Sequence, residues 1–208
     1  MSGAPVLLVL HALRLRSFAT AEVVAERFGM DLDATQATLA LSAESGWATF
    51  RDGRMTGWSL TTDGRAEGER LLADELARAG SGPAVEDDYR LFLELNGELL
   101  AICTDWQVVE RDGGQTVNDH TDPDHDESVL ERLDLLHTAA LPISEDLARA
   151  LDRFGGYTER LVLARERVRS GDVDWLTKPV IDSYHTVWFE LHEDLLATLG
   201  RQRSQERP

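Results

Sequence analysis

The stretch PVIDSYHTVWFELHEDLLATLG, residues 179–200, sets two histidines, a tyrosine and a tryptophan at helical spacing. Pro179 fits a helix start and Gly200 its end. At the helical period Ile181, Tyr184, His185, Trp188, His192, Leu195, Leu196 and Leu199 share one face, with Ser183, Glu190 and Asp194 opposite. Buried imidazoles need hydrogen-bond partners. The pair therefore reads in three ways: satisfied core histidines, the lining of a small-molecule pocket, or a metal site. His185 and His192 stand about 10.5 Å apart along the axis, too far for one ion held by the two alone. Asp182 and His185, at i and i+3, form the better ligand pair.

A second set lies in NDHTDPDHDES, residues 118–128, where His120 and His125 alternate with Asp residues around Pro123. Imidazole and carboxylate at this density suit a divalent ion, but the spacing is not that of an EF-hand. A solvated acidic loop leading into a capped helix is the plainer reading; His137, farther on, has no obvious partner. A helix expected from about Val85 to Trp106 puts Tyr89, Phe92, Leu93, Asn96, Leu100 and Cys103 on one face, with Leu91, Leu95 and Ile102 on another. Tyr89 and Asn96 thereby join Tyr184, His185, Trp188 and His192 as candidate pocket residues, and Tyr157 is either pocket or packing. There is no G-x-S-x-G, P-loop or dinucleotide fingerprint, and HEDLL at His192 lacks the second histidine of a zincin. The chain is not expected to be an enzyme. No cofactor is assigned beyond a small-molecule effector, with a divalent metal as the lesser option.

A different chemistry is written in GWATFRDGRMTGWSLTTDGR, residues 46–65. Strand-like runs Trp47–Arg51 and Gly57–Thr61 flank a turn that carries Arg51 and Arg54. Trp47 and Trp58 are expected to pack against each other across the strands. Upstream, Thr20 is expected to cap a helix that Gly29 ends, and Asp33 to cap a second that Gly46 ends. On the latter, Ala37, Ala40, Leu41 and Ala43 are read as the inward face, which turns Thr35, Gln36, Thr38 and Ser42 outward. Gln can pair bidentately with adenine, and Thr offers a hydroxyl or methyl contact. This helix has no Arg or Lys, so phosphate neutralisation falls to Arg51 and Arg54, with Arg14, Arg16 and Arg27 nearby in sequence. An apolar helix over Pro5–Leu15 precedes these elements, and Asp63 is expected to open a long helix after them.

The order helix, helix-turn-helix, hairpin, helix, with GW before the hairpin and WSLTTDGR after it, resembles the winged helix-turn-helix domains of MarR-like and PadR-like bacterial transcription regulators. The likeness covers roughly residues 4–78 and is carried best by LT-x-x-G-R. It implies double-stranded DNA as partner and a homodimer. The second half is loosely similar to the all-helical sensor domains of the GntR class, whose Asp and His ligands are spaced by four where Asp182 and His185 are spaced by three.

The break AGSGPAVEDD, residues 79–88, divides residues 1–80 from 81–208, which read as helices only. The expected fold is mainly α, an N-terminal winged helix-turn-helix with a two-stranded wing and a C-terminal antiparallel helical bundle for sensing and dimerisation. The formal charge of −17 is uneven: residues 1–80 hold eight basic against eleven acidic side chains, and the remainder of the excess acid lies beyond them. Net charge bears on solubility, whereas local patches decide nucleic-acid contact. Cys103 is the sole cysteine, which excludes an internal disulfide and cysteine-rich zinc ribbons. The apolar run Val6–Leu10 is too short for an anchor and lacks a cleavage site, so a cytoplasmic protein without membrane contact is expected. The reading is a ligand-responsive DNA-binding regulator. The alternatives are a winged-helix protein-interaction module and a metal-dependent enzyme using the C-terminal His and Asp residues.

Overall fold

The computed structural model describes residues 3–111 and 113–203. Among them the chain is mainly helical, with nine α-helices, one short 3-10 turn and two separate antiparallel hairpins. Contacts group Met1–Gly80 with Glu193–Pro208, and Ser81–His192 with one another. No described helix is long and apolar enough to cross a membrane.

The first unit runs α1 (Gly3–Arg16), α2 (Ala21–Arg27), α3 (Leu32–Glu44), β1 (Ala48–Arg51), β2 (Gly57–Leu60) and α4 (Thr62–Ala79). α2 stops because Gly29 takes the left-handed conformation, φ 60°, which favours glycine. The cap of α3 is Asp31 rather than Asp33: its carboxylate accepts the Ala34 amide at 2.9 Å, and Asp33 falls in the first turn, where negative charge suits the helix dipole. Likewise Thr61, not Asp63, caps α4, accepting from the Gly64 amide at 2.9 Å while its hydroxyl donates to the Gly46 carbonyl at 2.7 Å.

The β1–β2 hairpin is held on two sides. Register places Phe50 opposite Trp58, their rings 5.0 Å apart. The expected Trp47–Trp58 pair is thus corrected; Trp47 packs with Val6, Leu7, Leu10, Leu71 and Leu72 instead. Ala19 exchanges both backbone hydrogen bonds with Trp58, at 3.0 and 2.7 Å, adding one residue of a third strand. Beneath lies a core of Val9, Leu13, Val24, Leu39 and Ala48. The carboxylate of Asp194, also grouped with this unit, is fully buried 2.9 Å from His11 Nε2, with Arg27 beside it.

The second unit contains α5 (Gly82–Gln107), β3 (Val108–Arg111), β4 (Gly114–Val117), α6 (Pro123–Ala150), the 3-10 turn Asp152–Phe154, α7 (Tyr157–Arg169), α8 (Asp174–Thr177) and the start of α9 (Tyr184–Thr198). The hairpin corrects the expectation of helices alone: branched Val108, Val109 and Val117 flank a turn with Gly113 at φ 79°. α9 begins five residues after Pro179, because Ser183 supplies the cap, its hydroxyl accepting from the Thr186 amide at 3.3 Å. Ser183, Glu190 and Asp194, expected on the solvent side, are all buried. On α5 the expected stripe is shifted: Leu99 is buried and Leu100 exposed.

Candidate functional site

α3 turns a different face outward from the one its sequence implies. Thr35 and Ser42 are each 1% exposed. Their hydroxyls donate to the carbonyls of Asp31 and Thr38, at 2.8 and 2.7 Å, four residues back along the chain. Both are corrected from surface to interior: a hydroxyl satisfied by its own helix can be buried without penalty. Thr38 is half-buried and donates to the Ala34 carbonyl, while Gln36 is exposed as expected. Leu39 fills the inward stripe with Thr35 and Ser42. Ala37, Ala40 and Leu41, read as inward, are exposed.

The hairpin that follows carries Arg51 and Arg54 on its exposed end, and Arg65 lies exposed in the first turns of α4. Among the described residues these three are the arginines whose side chains form no hydrogen bond, ion pair or ring contact. The other cations nearby are engaged. Arg14 bonds Glu69 at 2.7 Å and Glu193 at 3.3 Å. Arg27 is buried with its guanidinium over the Phe28 ring, Arg70 bridges Glu67 and Asp74, and Arg16 also has a partner.

In the second unit the six expected pocket residues behave as two groups. Trp188 Nε1 donates to Asn96 Oδ1 at 3.0 Å, and its ring stacks on Phe92 at 4.5 Å. His192 lies 5.2 Å from Phe92 and 6.5 Å from Tyr89, and Tyr184 stacks 6.3 Å from Trp188. These rings meet one another directly, as core side chains do. His185 is half-buried, its ring 6.5 Å from exposed Phe189, and burial pulls its pKa below the ordinary value. Asp182, its expected partner in metal binding, bonds Arg160 at 2.9 Å instead. Arg160 also forks onto buried Glu190 at 2.8 and 3.0 Å, a pair with no periodic signature in the sequence. His137 does have a partner, the Tyr184 hydroxyl, 3.3 Å from its Nδ1. Tyr157 is fully buried with Arg160 over its ring, which makes it packing. Cys103 is buried, and burial pushes its thiol up to about 12, far from the range of a reactive thiolate.

The acidic loop is built rather than loose. Asn118 is buried and donates to the Trp106 carbonyl at 3.1 Å and to Asp126 at 2.9 Å. The other Asp126 oxygen meets His120 Nδ1 at 2.9 Å, and the Asn118 side chain accepts from the His120 amide at 3.0 Å. That lattice holds His120 at φ 56°, a conformation that costs a non-glycine residue about 1 kcal/mol or more. It sets the ring 4.5 Å from Trp106. Asp122 caps α6, and His125 Nε2 lies 2.8 Å from the Asp105 carbonyl. Among the described residues no group of three or more His, Cys, Asp or Glu side chains lies where it could hold a metal ion.

Two clefts open beside the β3–β4 hairpin. One, of about 540 Å³, is polar and lined by Asp105, Glu110, Arg111, Asp122 and His125. The other, of about 450 Å³, has Trp106, Val108, Val117 and Val173 as apolar walls, with His120 and Lys178 at its edges. The sequence does hold their signal, the β-branched run around DGG, but neither cleft is lined by the six residues expected to form a pocket. No protein-family model, curated protein or solved structure matches the chain.

Proposed function

We propose that the protein is a DNA-binding transcription regulator rather than an enzyme, with Met1–Gly80 as its reading head. The observation that carries this is the three unpartnered arginines, Arg51, Arg54 and Arg65, gathered on one hairpin and the helix after it. Phosphate neutralisation supplies a large share of the affinity for DNA, and a cation not already paired with an acid supplies it without first giving up a partner. The element order, with Ala19 adding a third strand to the hairpin, supports a winged helix-turn-helix in which α3 is the recognition helix and β1–β2 the wing. Regulators of this kind act as homodimers, which doubles every cation offered to the duplex. An effector bound in the apolar cleft at Trp106 and Lys178 would regulate binding by population shift.

A selection of bound sequences from random duplex DNA at low salt tests the reading. A recovered preferred site, with affinity falling steeply as salt rises, is the expected result; no binding at low salt would defeat it. A second reading, a winged-helix module that binds protein, is favoured by the exposed Leu32 and Leu41 on α3. It predicts a protein complex indifferent to loss of Arg51 and Arg54.

A further inference from the structure

The outward face of α3 has an unusual chemistry for a recognition helix. Gln36, Ala37, Ala40 and Leu41 form its exposed stripe, and Asp33 and Glu44 stand at the two ends. The hydroxyls that would have been general-purpose donors, those of Thr35 and Ser42, are turned inward and satisfied. What remains is one side-chain amide and a run of methyl groups.

The major groove distinguishes base pairs by what each edge presents. Guanine shows two acceptors, read best by the fork of Arg or the ammonium of Lys, and α3 has neither. Adenine shows an acceptor beside a donor, the complement of the Gln36 amide. Thymine shows a methyl group, whose partners are small apolar side chains such as Ala37 and Ala40. Asp33 and Glu44 repel phosphates at either end and confine close approach to the middle of the stripe. The wing leans the same way: A-tracts have a narrow minor groove whose negative potential draws arginine, and Arg51 and Arg54 are unpartnered.

We infer that the protein reads A·T-rich duplex DNA, Gln36 pairing with adenine, Ala37 and Ala40 resting on thymine methyls, and Arg51 and Arg54 entering the adjoining minor groove. This rests on the DNA-binding reading above and specifies its target.

The test is direct binding of the full chain to labelled duplexes of equal length at low salt: A·T-rich, G·C-rich, and the A·T-rich duplex with every thymine replaced by uracil. Uracil removes the methyl group and leaves the hydrogen-bonding edge unchanged. The A·T-rich duplex should bind about tenfold tighter than the G·C-rich one, the difference one good bidentate pair supplies. Uracil should weaken binding about fourfold for each methyl that the helix covers. Gln36→Ala should weaken binding to the A·T-rich duplex more than to the G·C-rich one, and so reduce the A·T preference. Gln36 is exposed, so its loss does not threaten folding. Equal affinity for the two compositions, or indifference to uracil, overturns the base preference and leaves DNA binding standing. Binding to no duplex overturns both.

Discussion

The two hairpins are alike in strand pairing and opposite in surface. Each pairs four residues with four, antiparallel, and each closes with an arginine facing a glycine, Arg51 with Gly57 and Arg111 with Gly114. In the first, Arg51 is unpartnered and Gly57 is pressed against Phe18 and Ala19. In the second, Arg111 forks onto Asp119 at 2.9 and 3.0 Å, and a Cβ at Gly114 would meet only the Arg111 carbonyl oxygen, at ordinary contact distance. Those bonds, with help from Thr121, hold the Asp119 carboxyl below the usual carboxylate range. The difference teaches that a hairpin's fold says little about its use. The first is anchored at its base and exposes free charge; the second neutralises its charge and walls a cleft.

The anchoring gives the largest expected effect. A Cβ at position 57 would lie 2.8 Å from a Phe18 ring carbon and 2.9 Å from the Ala19 carbonyl oxygen, whereas at 114 the nearest atom is 4.0 Å away. Gly57→Ala should therefore destabilise the protein by about 1–3 kcal/mol, the range of overpacking. Gly114→Ala should stay within about 0.5 kcal/mol of wild type. Urea unfolding of both variants checks this. Equal losses would mean that the hairpins are not anchored differently.

Next comes charge. Replacing Arg51 and Arg54 together by Ala should weaken DNA binding about tenfold at low salt. It should also flatten the dependence of log K on log salt by about 2, one for each phosphate no longer neutralised. Arg111→Ala should change neither quantity. A matching loss from Arg111→Ala would erase the contrast between the hairpins, and with it the argument from unpartnered arginines.

How much of this was legible in the sequence depended on where each residue's partner lies. Gly29 and Gly46 ended α2 and α3 where expected, because a left-handed helix stop is a local requirement. The first hairpin was visible because strand runs with arginines and glycine between them stand out from flanking helices. The second, VVERDGGQTV, had the same local signal but sat at the end of a long helical pattern, which hid it. The face of α3 was misread for a physical reason: Thr35 and Ser42 count as polar by type, yet each satisfies its hydroxyl within its own helix and can be buried, while alanine tolerates either side. Glu190 and Asp194 were misplaced because what lets them be buried, Arg160 and His11, lies far away in sequence. Periodicity cannot show a partner thirty or more residues distant.

The smallest effect separates the regions by protons. His137, on α6 in the same unit as the second hairpin, has its pKa pulled down first by burial and then by the Arg165 charge. A depressed histidine resists protonation in the native state, whereas the unfolded chain takes up its proton below about pH 6.5. The stability His137 contributes is therefore complete above that pH and declines as pH falls through it. His185 shifts in the same direction, through burial alone. Thermal unfolding followed from neutral pH into mild acid should show a falling midpoint, and His137→Gln should make that fall shallower. The glutamine keeps a polar group near the Tyr184 hydroxyl, so the comparison reports on the proton rather than on an emptied site. An unchanged acid slope in His137→Gln would place the proton-sensitive step elsewhere, with His185→Gln as the matching control.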